Sequence, residues 1–84
     1  VPTILRFRGF RIVIWTNEHG LPHVHCIGQD VQVSFWLHAR TRSVSLRDGA
    51  TKMKRLDQKA LEQFLVDNLD ILLKAWSALH DSSK

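Results

Sequence analysis

The chain has 84 residues, a formal net charge of +4 and one cysteine. That length encloses one modest core and excludes two, the lone Cys26 excludes an internal disulfide, and no apolar run is long enough to span a bilayer. One domain over residues 1–84 is therefore expected, with no secretion signal, no membrane association and a reducing cytoplasmic location.

Taken in order, Ile4 to Arg8 and Phe10 to Thr16 are rich in β-branched and aromatic residues. Gly9 between them can adopt the positive φ of a tight hairpin, so they are predicted to be two antiparallel strands. Asn17 to Pro22 breaks the pattern with turn residues before His23 to Ile27 resumes an extended run. Gly28 to Asp30 make the next turn, and Val31 to Leu37 then alternate, with Val31, Val33, Phe35 and Leu37 on one side and Gln32, Ser34 and Trp36 on the other. Ser43 to Leu46 is a candidate fifth strand.

From Leu56 the apolar period changes from two to 3.6. Leu61, Phe64, Leu65, Leu69, Leu72, Leu73, Trp76 and Leu79 form one broad stripe. Asp57 is the expected N-cap, with Leu56 and Leu61 placed as a hydrophobic staple, and Lys52 to Arg55 could add a preceding turn. The expected architecture is α+β: residues 1–46 form a four- or five-stranded, mostly antiparallel sheet, packed against a long C-terminal helix over residues 56–80 that is open to interruption near Asn68.

Charge follows the same division. Residues 1–55 hold nine Lys or Arg against three acids, a balance of +6, whereas residues 56–84 hold three Lys against five acids, a balance of −2. A basic strand-rich part suits a polyanion or an acidic partner; ordinary surface charge is the plainer reading.

The densest chemistry lies in Asn17 to Cys26, where three histidines, Glu18, Gly20, Pro22 and Cys26 fall within ten residues. Residues two apart on a strand share a face, so His23 and His25 are predicted to project together while Val24 and Cys26 point the opposite way. If the helix covers the face with Ile12, Ile14, Val31, Val33 and Phe35, the other would display Arg11, Trp15, His23, His25, Gln32 and Trp36, with Arg6 and Arg8 nearby. Guanidinium groups beside aromatic planes meet the needs of an RNA surface, and Arg40 and Arg42 extend the basic set; folding of Trp15 and Trp36 over the sheet edge, or onto Trp76, is the structural alternative.

Three chemistries fit the histidines. His23 and His25 could serve as base and acid in phosphodiester cleavage, with Glu18 orienting or replacing one of them and Arg11 or Arg40 stabilising charge. The His-Val-His spacing is similar to that of histidine-triad phosphotransferases, but Ile27 stands where their next alternating histidine belongs. Alternatively His19, His23 and His25 could hold a metal, with Cys26 excluded by alternation. The third role is structural: imidazoles that bond loop carbonyls and brace the turn at Gly20 to Pro22. No cofactor is expected.

Pro2-Thr3-Ile4, Arg6, Gly9, Arg11, Asn17-Glu18-His19-Gly20, Pro22-His23-Val24-His25, Trp36-Leu37, Leu73 and Ala75-Trp76 together resemble a bacterial family of short proteins known as a domain of unknown function with a P-H-V-H motif. The resemblance spans nearly the whole chain. It implies a component of a two-gene toxin–antitoxin module with a cognate small protein as partner, and it matches Glu18, Pro22, His23 and His25 to the family's central motif. Ala39 to Met53 is more basic than that family leads one to expect.

Overall fold

Two residues decide the first hairpin. Arg8 and Gly9 have φ of +48° and +82°, the paired left-handed conformations of a type I′ turn, whose twist suits the flanking strands. They join β1 (Thr3–Phe7) to β2 (Phe10–Val13), with Phe7 opposite Phe10. β3 (His23–Ile27), β4 (Gln32–His38) and β5 (Ser43–Asp48) follow, each antiparallel to the strand before it, giving one five-stranded sheet in sequence order. This is a computed structural model that describes residues 3–16, 20–49 and 53–81.

The fifth strand is longer than its sequence signal, because pairing with β4 carries it on through Arg47 and Asp48. Its register slips on the way. Ser34 faces Asp48 while Phe35 faces Leu46, so Arg47 is the extra residue of a β-bulge. Just beyond, Gly49 has φ +91°, and a Cβ there would collide with the Gln32 carbonyl; only glycine lets the end of β5 lie this close to β4.

The apolar alternation turns one face of this sheet toward the helices. Ile12, Cys26 and Val33 lie in one cross-strand row, and Val24, Phe35 and Leu46 in the next. Of these, all but Leu46 are buried, together with Ile14 and Leu37. They pack with Leu61 and Leu65 of α1 (Arg55–Asp67) and Leu69, Leu72 and Trp76 of α2 (Leu69–Asp81). Phe64 also stacks on Phe7 with ring centres 4.5 Å apart, which ties α1 to the first hairpin.

The helical segment departs from expectation at two places. α1 begins at Arg55 behind an extended Lys54 with no side-chain cap, and Asp57 sits in the first turn, where its charge complements the helix dipole. Leu56 is 81 % exposed and therefore forms no staple. At Asn68 the expected long helix divides in two. There the Asn68 side-chain amide donates to the Phe64 carbonyl at 2.9 Å and its backbone N–H is shared between Phe64 and Leu65 carbonyls, local bonds that compete with a regular helix. The Asn68 carbonyl then accepts from Leu72 N–H at 3.1 Å and starts α2 at once. The apolar stripe survives the break. Among the described residues, no helix is long and apolar enough to cross a membrane.

Candidate nucleic-acid interface

The sheet face turned away from Phe35 is built in rows across the strands. Arg6, Arg11, Ile27 and Gln32 are successive partners from β1 to β4. Val13, His25, Ser34 and Asp48 form the second row, and His23, Trp36 and Ser45 the third. Strand alternation thus brings the two histidines to one side, with Val24 and Cys26 on the other, as the sequence predicts. Arg11, His25, Gln32 and Trp36 share that face as well.

Accessibility is where the expectation fails. His23 is 2 % exposed and His25 is 4 % exposed, so the two rings do not form an accessible pair. The reason lies in the three tryptophans. Trp15 stacks on His25 with ring centres 3.9 Å apart, and Trp36 meets His23 edge-on at 5.5 Å. From α2, Trp76 reaches the same His23 ring at 5.1 Å, so the terminal helix covers part of what the sequence leaves open. The two imidazoles touch edge to face at 5.3 Å. Trp36 and Trp76 accordingly serve the packing role that their size suits.

Hydrogen bonding fixes one tautomeric detail. A carbonyl can only accept, so the 2.9 Å contact between His23 Nδ1 and the Leu21 oxygen requires a proton on Nδ1. With the bond from Leu37 N–H to the Pro22 carbonyl at 2.9 Å, it secures the segment entering β3 to the end of β4. That is the bracing role foreseen for the structural reading. Cys26, enclosed on the helix side, has its thiol pushed up to about 12 by burial, so it stays protonated and unreactive.

The other predicted residues do not converge on one patch. Arg40 and Arg42 are exposed beyond β4, and Arg42 pairs with Asp70 of α2 at 2.9 Å. Arg40 borders a mostly apolar hollow with Leu21, Pro22 and Trp36. Arg8, at the hairpin tip, lies over the Phe7 ring. Glu18 and His19 lie outside the described residues, and with them the proposed orienting carboxylate and the third metal ligand. Among the described residues no group of three His, Cys, Asp or Glu is placed to hold a metal.

What the face does contain is a hollow of about 360 Å³ lined by Trp15, His25, Gln32, Ser34, Arg47 and Asp48. The bulge creates its charged rim. Unbroken alternation from Ser43 would send Arg47 to this face and Asp48 to the helix side; the extra residue lets both border the hollow. Arg47 donates from Nη1 to Ser34 Oγ at 3.2 Å while its guanidinium lies 5.2 Å from the Trp36 ring centre, a geometry that holds a cation in place. Sequence reading missed Arg47, Asp48 and Ser34 as site residues. The one signal was Arg-Asp-Gly at the end of an alternating run, where a glycine can mark a break in strand register. His38 Nε2 and Ser45 Oγ are 2.7 Å apart, and His80 stacks on Trp76 one helical turn away, a spacing that could have suggested the contact.

An antiparallel meander with one face under two helices and the other carrying arginines and indoles defines a small α+β domain. The chain belongs to the family described as Domain of unknown function (DUF4160), whose family model matches residues 9–77, a span that includes the His23–His25 strand, the bulge and Trp76. No curated protein and no solved structure matches the chain.

Proposed function

We propose that this domain binds single-stranded RNA across the part of the histidine-bearing sheet face that α2 leaves uncovered, as one member of a toxin–antitoxin type pair. The observation that supports this is the coexistence, on one face, of the adjacent Arg6 and Arg11, the Arg47 guanidinium anchored over Trp36, and the aromatic plane of Trp15. Guanidinium groups neutralise phosphates, and aromatic planes accept unstacked bases without demanding a sequence. The buried His25 imidazole then acts as a support stacked against Trp15.

Salt tests the reading directly. Three arginines engaging phosphates on a single strand give a log–log salt slope of about −2. Fluorescence anisotropy with an unstructured RNA should show that slope, and Arg47→Ala should weaken binding and flatten the slope by somewhat less than one. Absence of binding at about 50 mM salt, or affinity indifferent to salt, would remove RNA and favour a cognate protein as partner.

A second reading has one observation in its favour. His25 borders the same hollow as Arg47, so its imidazole could move a proton while the guanidinium stabilises charge on a phosphodiester in transition. Ribonuclease activity that His25→Gln abolishes even at RNA concentrations that saturate the variant is the expected signature; an RNA that stays intact with the wild-type protein overturns it.

A further inference from the structure

The hollow at the bulge has a composition that a plain phosphate site would not have. Asp48 borders it, and a carboxylate there offsets part of the attraction that Arg47 exerts on a phosphate in the hollow. The same carboxylate is an acceptor-only group, matched to a ligand edge that presents donors. Gln32, also in the lining, offers both a donor and an acceptor, and Trp15 offers a half-buried aromatic plane in the wall. At about 360 Å³ the hollow falls within the range of small-ligand sites.

We propose that this hollow is a base-reading pocket for a guanosine nucleotide of the bound strand. The proposal rests on the RNA reading above and adds what the sheet face selects. Guanine is the base whose Watson–Crick edge carries two adjacent donors, N1–H and the N2 amino group, which a carboxylate accepts in bidentate fashion. Adenine and cytosine place a ring-nitrogen acceptor beside their amino group, and uracil has one N–H between two carbonyls. Asp48 therefore favours guanine and disfavours the other three. Trp15 supplies the stacking surface and Arg47 the contact to the nucleotide's phosphate. The β-bulge is what sets the acid and the cation side by side, and Gly49 is what lets the strand close behind them.

The test uses an oligouridine of about ten nucleotides with one central guanosine, adenosine or cytidine, alongside plain oligouridine. Guanosine should bind about tenfold tighter than the others. Asp48→Asn replaces one acceptor with a donor at an exposed residue; it should bring the four affinities together while oligouridine binding persists. Equal affinities with the wild-type protein, or a guanosine preference that survives Asp48→Asn, overturn the pocket and leave RNA binding standing. If no oligonucleotide binds, the strand reading fails, and GMP and AMP are titrated against tryptophan fluorescence with Trp15→Phe as the control. Quenching by GMP alone, lost in Asp48→Asn and in Trp15→Phe, upholds the pocket; equal response to GMP and AMP, or none, removes it.

Discussion

The two faces of this sheet come from the same five strands and solve opposite problems. On the helix side, Ile12, Val24, Cys26, Val33 and Phe35 are apolar, buried and capped by leucines from both helices. On the other, residues one position along the same strands are Arg11, His23, His25, Gln32 and Ser34. The first face is held by loss of water from hydrocarbon, which is indifferent to direction. The second is held by ring contacts and directed hydrogen bonds, such as that of His23 to Leu21. Stability should therefore be concentrated on one side and specificity on the other.

The sharpest way to break that contrast is to empty the apolar side. Phe35 is fully buried at the centre of the core, and Phe35→Ala should cost about 3–5 kcal/mol, enough to leave a small domain largely unfolded at room temperature by circular dichroism. Alkali probes the same side without a cavity. The Cys26 thiol is raised from 9.0 to about 12, so the folded state holds its proton where the unfolded state releases it. Its contribution is complete below the unfolded value and is lost as pH climbs from 9.0 toward 12, on the order of 4 kcal/mol at the extreme. Denaturant titrations across that window should show a steeper decline for the wild type than for Cys26→Ala, and no reaction of the native thiol with a disulfide reagent at neutral pH.

On the second side the expected effects are smaller. His23→Gln removes a ring packed against two indoles and disturbs the bond to Leu21, at a cost of about 1–3 kcal/mol in denaturant. Replacement of both histidines by glutamine is thus a stability experiment before it is an activity experiment. Arg47→Ala should change stability least, within about 0.5 kcal/mol, because the residue is exposed. If it instead lowers the melting temperature as much as His23→Gln does, the guanidinium is part of the scaffold and the division between faces is wrong.

The chain itself determined the alternation that sorts residues onto faces, the hairpin at Gly9 and the switch to a helical period after Leu56. Each is a local property, set by side-chain period and backbone sterics within a few residues. That is why the face shared by His23 and His25 was legible, and why Val24 and Cys26 were rightly assigned to the core. Tertiary structure decided the rest. Trp76, more than fifty positions from His23, closes over its ring only because α2 continues past Asn68 to that end of the sheet. Arg47 and Asp48 share a hollow only because β5 slips one residue against β4. Neither is written in period or propensity, since burial and register depend on what distant segments bring alongside.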